Sequence, residues 1–165
     1  IVIAAKNAEA LRILNDKIRG REIEKSYLCV VCGRPKPAEG RLEGYLFKDT
    51  VKNQVYVTKK PQPGAKTAVT EYRTLCSAMG LSLVECRLLT GRTHQIRVHM
   101  AHIGHPLLGD LVYGHKRPEK GLSGQCLHAR ALRFLHPRTG ELVTFTCPLP
   151  DYFQDVLARL GPPVG

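Results

Sequence analysis

Apolar residues along this chain fall into two rhythms, and each change of rhythm marks an element boundary. Leu11, Leu14 and Ile18 stand at i, i+3 and i+7, with Ile13 at the edge of the stripe. Asn7 can cap that stripe and Gly20 can stop it, so the spacing predicts a helix over residues 8–19. Ile23–Cys32 then reads as a strand, broken by Gly33-Arg34-Pro35-Lys36-Pro37. Arg41–Phe47, Gln54–Thr58 and Ala68–Leu75 read as further strands, the last with a rough period of two. A strand over Leu81–Leu89 follows Gly80. Ile96, Met100 and Ile103, at i, i+4 and i+7, predict a short helix capped by Thr93 and ended by Gly104. Residues 104–125 hold many Gly and Pro and read as loop. Strands over Leu127–Leu135 and Leu142–Cys147 follow, joined by the turn Pro137-Arg138-Thr139-Gly140. A helix over Asp151–Leu160 and a tail, Gly161–Gly165, close the chain. With no internal repeat or linker, the expectation is one α+β domain. Its sheet is mostly antiparallel and mixed, with short helices on its flanks.

Composition narrows the function classes. At 165 residues the chain can bury a sizeable core. No apolar run approaches the length of a bilayer-spanning helix. Lys and Arg number 25 against 14 Asp and Glu, a net charge of +11, which favours a polyanionic partner, nucleic acid above all. An anionic membrane surface is the rival, but no strongly amphipathic basic helix supports it. Six cysteines in a chain of this size without a signal peptide read as reduced thiols of a cytoplasmic protein. Cys29 and Cys32 form a CxxC, but three residues apart on a strand they point to opposite faces, so a structural role is expected. The opening Ile1-Val2-Ile3-Ala4-Ala5 reads as the back end of a strand, as in a fragment or a cleaved product.

The densest polar cluster is Thr90-Gly91-Arg92-Thr93-His94-Gln95-Ile96-Arg97-Val98-His99, running from a strand end through a glycine turn into a helix start. Such a terminus attracts anions, and Arg92 stands beside it. Arg97 adjoins the apolar stripe, where a guanidinium wants a carboxylate partner. The competing reading is a helix cap with solvated basic residues. His94, His99 and His102 lack the pattern of a zinc set, and no Walker loop, Rossmann glycines or G-x-S-x-G elbow is present, so neither metal nor cofactor is expected. Tyr27 can stack on a base from a sheet face, or be an ordinary half-buried strand aromatic. Lys59, Lys60 and Lys66 can follow a phosphate backbone, or simply solvate a loop.

In sequence order, Lys25-Ser26-Tyr27, Ala68-Val69-Thr70-Glu71-Tyr72, Leu89 through Met100, Gly104-His105-Pro106-Leu107-Leu108-Gly109-Asp110 with Tyr113-Gly114, Leu127-His128-Ala129, His136 through Glu141 and Pro148 resemble the motif series of RluA-type pseudouridine synthases. The resemblance implies a pseudouridine synthase-like fold. It also implies isomerisation of uridine to pseudouridine in structured RNA, ribosomal or transfer, without cofactor or metal. A monomer is expected. Tyr27 would stack on the flipped uracil and assist proton removal. Arg97 would pair with the catalytic aspartate. Arg92 and His94 would contact RNA or line the site. The family's aspartate lies in a His-Arg-Leu-Asp motif ahead of the strand that Ile1–Asn7 resembles. That motif is absent from this sequence, so the chain reads as a partial catalytic domain, inactive alone. Asp110 looks structural by the same resemblance. The alternatives are an RNA-binding module that lost the aspartate, and a basic scaffold that binds a protein.

Overall fold

In the computed structural model, residues 1–161 are described; the last four residues of the expected tail lie outside them. The elements are α1 (Ala8–Arg19), β1 (Glu24–Cys32), β2 (Glu39–Asp49), β3 (Gln54–Thr58), β4 (Ala65–Ala78), β5 (Leu81–Leu88), α2 (Gln95–His102), β6 (Leu127–Leu135), β7 (Leu142–Thr146) and α3 (Asp151–Leu160). The strands form one seven-stranded sheet in the order β3-β2-β4-β5-β1-β6-β7, and all of its strand pairings are antiparallel. The α+β expectation is borne out, with no parallel pair among the described strands.

Strand alternation explains how the two faces are covered. Cys29 and Val31 point to one face, where they meet Ile96 and Met100 of α2 together with Val84, Cys86 and Leu88. Leu28, Val30 and Cys32 point to the other, against Phe153, Val156 and Leu160 of α3. Cys29 and Cys32 therefore sit on opposite faces, as their spacing predicts. Ile23, in step with Cys29, packs with Leu14 of α1 and with Leu132 and Phe134 of β6, so α1 and α2 share a face. The Gly/Pro-rich 104–125 segment is not loose. Leu108 N–H donates to the Val30 carbonyl (2.8 Å), and Cys126 N–H donates to the Leu108 carbonyl (2.8 Å). These bonds lace the segment onto β1.

Two expectations need correction. The buried line of α1 is Ala10, Ile13, Leu14 and Lys17, whereas Leu11 and Ile18 are about half exposed. Only Leu14 meets the core, because the helix lies over the sheet's end and not across its middle. The strand in Ala68–Leu75 is also longer, 14 residues, with a bulge between Thr74 and Cys76 that turns Leu75 outward.

Candidate active site

Residues 89–94 carry the chain from the end of β5 to α2, and a polar lattice fixes them. Val69 N–H donates to Thr90 Oγ1 (2.9 Å), and that hydroxyl donates to Gln95 Oε1 (2.8 Å). Gln95 Oε1 also accepts from Arg92 N–H (3.0 Å), while Gln95 Nε2 donates to the Val69 carbonyl and to Thr70 Oγ1, both at 2.9 Å. All these groups are buried or nearly so, and each hydrogen of the Gln95 amide is used. The Thr70 hydroxyl also hydrogen-bonds His99 Nδ1 (2.9 Å). His99 Nε2 is buried without a partner. Burial is the main reason its pKa falls to about 4, and nearby His102 adds to the effect.

Thr93 does not cap α2. The N-cap is His94, in the left-handed region at φ 54°, with no side-chain cap bond. A histidine is held there because its ring is anchored. Tyr113 Oη accepts from Val55 N–H (2.8 Å) and turns its proton to His94 Nδ1 (2.9 Å). Burial and the neighbouring Arg97 and Lys48 cations hold the His94 pKa below its usual value, against the opposing pull of Asp110.

Arg97 finds its carboxylate inside the chain. Its Nε donates to Asp110 Oδ2 (2.7 Å) and its Nη2 to Asp110 Oδ1 (2.9 Å), and its guanidinium carbon lies 5.0 Å from the centre of the Tyr113 ring. Asp110 Oδ1 also accepts from the backbone N–H groups of Val112 and Tyr113, both at 3.0 Å. Burial works to raise the Asp110 pKa, but the Arg97 hydrogen bond and the two backbone donors outweigh it and leave the carboxyl below its ordinary value. With its side chain fully buried and both oxygens engaged, this aspartate has no lone pair facing solvent and serves as a brace. Arg97 Nη1 makes no hydrogen bond to the described residues.

Tyr27 lies on the α1/α2 face of β1, half buried, packed against the cluster that holds Ile96 and Leu88. Burial raises the pKa of its phenol. Lys25, two residues before it, projects from the same face toward the 89–94 turn: a Cβ on Gly91 would stand 2.9 Å from Lys25 Nζ. Burial and then the Arg92 charge lower the pKa of Lys25. Arg92 Nε donates to the Thr67 carbonyl (2.9 Å), which orients its guanidinium. The structure therefore gathers Arg92, His94 and Arg97 around one turn, with Tyr27 on the sheet face that α2 covers. Lys59 and Lys60 lie in the β3–β4 connection. Sequence reasoning gave no site role to Lys25, Lys48 or Tyr113. Lys25 and Tyr113 stood in the motif series, and Lys25 carried a further signal, since residues two apart on a strand share a face. Among the described residues, no three His, Cys, Asp or Glu side chains converge as metal ligands.

The family model for RNA pseudouridylate synthase matches residues 1–102, which include Lys25-Ser26-Tyr27 and the whole 89–97 turn. The chain belongs to the RluA-type RNA pseudouridine synthases. It is 40% identical over 160 residues to an uncharacterized RNA pseudouridine synthase of Chloroflexus aurantiacus, covering 97% of this chain and 49% of that protein. It is 37% identical over 161 residues to a ribosomal large subunit pseudouridine synthase D of Zymomonas mobilis, covering 93% of this chain and 50% of that one. The fold matches the solved structure of human RNA pseudouridylate synthase domain containing 4, with a TM-score of 0.76, 24% identity, and coverage of 93% of this chain and 68% of the human one. This pseudouridine synthase chain spans about half the length of the curated relatives it matches. No helix among its described residues is long and apolar enough to cross a membrane.

Proposed function

We propose that these residues form the base-binding and RNA-binding portion of a pseudouridine synthase active site, whose catalytic carboxylate is supplied from outside the 165 residues. The observation that carries this is the saturation of Asp110. The carboxylate in contact with Arg97 is buried with both oxygens hydrogen-bonded, so it cannot attack or take up a proton without leaving Arg97 unpaired.

The reaction cleaves the bond from uracil N1 to ribose C1′ and joins C1′ to uracil C5; C5 loses its proton and N1 gains one. Atoms and electrons balance without an oxidant or a cofactor. The target atoms are stacked in RNA, so the nucleotide must leave the stack before reaction. In this reading Tyr27 receives the uracil ring and its hydroxyl lies near the departing C5 proton. Arg97, held in plane by Asp110, turns its remaining Nη1 toward the incoming carboxylate and keeps it ionised. Arg92 and His94 line the approach, and Lys59 and Lys60 extend the basic surface. The ribosomal naming of the Zymomonas relative favours ribosomal RNA as the substrate.

The test is tritium release from RNA carrying 5-tritiated uridine. The complete polypeptide from which these residues come should release tritium, and the 165-residue chain alone should bind RNA and release none. Release by the 165-residue chain would refute the external carboxylate. RNA binding without release by the complete polypeptide would favour a non-catalytic RNA-binding module.

A further inference from the structure

The turn at residues 90–93 separates two small cavities, of about 160 and 140 Å³. Lys48 and Lys66 line the first, Arg21 and Lys25 line the second, and Arg92 borders both. No carboxylate lines either cavity. None of these five cations takes part in a salt bridge among the described residues, although seven other basic side chains of the same chain do. Lys25 and Arg92 are half-buried while Arg21, Lys48 and Lys66 are exposed, and like charges gathered around one turn without counter-charge are unfavourable in the free protein. An anion seated there removes that cost.

Three features make these cavities more than a diffuse basic surface. Arg92 is tied down by its Nε bond to the Thr67 carbonyl and its backbone bond to Gln95 Oε1, so its terminal nitrogens are pre-oriented. Gly91 leaves room for the Lys25 ammonium to lie against the turn, where a Cβ would stand 2.9 Å from it. The four lysine and arginine positions other than Arg92 come from three strands, β1, β2 and β4, and from the turn after α1, so the sheet order and not a run of sequence brings them together.

We infer that the 90–93 turn is a two-sided phosphate clamp, seating one RNA backbone phosphate between Lys25 and Arg92 and another between Lys48, Lys66 and Arg92. The clamp rests on the RNA reading above and adds to it the residues that grip the backbone on either side of the base-binding face. Phosphate contacts carry no sequence information, but they set the register in which a uridine meets Tyr27. Lys59 and Lys60 then contribute only long-range attraction.

The experiment is fluorescence anisotropy of this chain with a labelled hairpin RNA, repeated over a series of salt concentrations, with circular dichroism melting to confirm folding. Lys25→Gln and Lys48→Gln should each weaken binding several-fold and reduce the slope of log affinity against log salt by about 0.7–0.9. Combined, they should reduce the slope by about twice as much, because the phosphates differ. Gly91→Ala should weaken binding although no charge is lost, since it displaces the Lys25 ammonium. Lys6→Gln and Lys116→Gln, exposed and lining neither cavity, should leave the slope unchanged. Equal slope losses from these two controls, or unchanged binding by both Lys25→Gln and Gly91→Ala, would overturn the clamp while leaving RNA binding intact. Wild-type binding that ignores salt would overturn the RNA reading beneath it.

Discussion

Arg97 and Asp110, thirteen residues apart in sequence, form a two-pronged ion pair in which the carboxylate is fully buried and the guanidinium nearly so. Breaking such a pair from one side leaves a buried charge without compensation. Arg97→Met is therefore expected to destabilise the fold by about 3–5 kcal/mol, and Arg97→Lys, which cannot supply two parallel donors, by a substantial part of that. The double variant Arg97→Met/Asp110→Leu should recover most of the loss. Urea unfolding midpoints of the three variants check this. A wild-type midpoint in Arg97→Met would show that the pair contributes nothing.

The same pair gives an acid-side dependence. The Asp110 carboxyl is held below its ordinary pKa in the folded state, so its contribution is present above the unfolded value, near 3.9, and is lost as pH falls through the depressed folded value. Wild-type stability should keep falling below pH about 4 by an increment that the double variant lacks. Identical acid limbs for the two proteins would contradict it.

His99 acts in a separate and higher window. Its folded pKa is about 4, against about 6.5 unfolded, so the unfolded chain binds more protons between those values and stability falls as pH drops from 6.5 to 4. The loss is on the order of 3 kcal/mol. His99→Asn keeps an acceptor for the Thr70 hydroxyl without the titrating ring, and should flatten this segment of the stability–pH curve. An unchanged curve would mean that His99 is not neutral and buried as described.

Gly109 precedes Asp110 with φ +77°, and a Cβ there would lie 2.4 Å from the Gly124 carbonyl oxygen, a backbone atom that cannot swing aside. Gly109→Ala should cost more than about 2 kcal/mol, since it combines a disfavoured backbone region with a clash. Gly124→Ala, with nothing within 4 Å of the new carbon, should be near neutral. Thermal melts of the two variants make the comparison, and equal melting temperatures would contradict it.

Much of this arrangement was legible in the sequence, for reasons that differ by residue. Helix α1 was placed at its observed residues because Asn7 caps it locally, accepting from Ala10 N–H at 2.8 Å, and Gly20 ends it. The turn carrying Arg92, His94 and Arg97 was visible as a polar cluster. Its cap was misassigned because His94 is held at positive φ by Tyr113, nineteen residues away, and no local rule reports that bond. The demand of Arg97 for a carboxylate was readable from its place beside the apolar stripe. That Asp110 meets the demand depends on a loop folding back over β1. Lys25, Lys48 and Lys66 were scattered in sequence and became neighbours of one turn only through the strand order.

The central claim, that Tyr27 serves the chemistry at the uracil, is tested most directly by single-turnover tritium release from 5-tritiated uridine RNA with Tyr27→Phe in the complete polypeptide. Phenylalanine keeps the stacking face and removes the hydroxyl. The account predicts unchanged RNA affinity with release slowed by about 10²–10⁴-fold. Release at the wild-type rate would contradict it and leave Tyr27 an ordinary aromatic of β1.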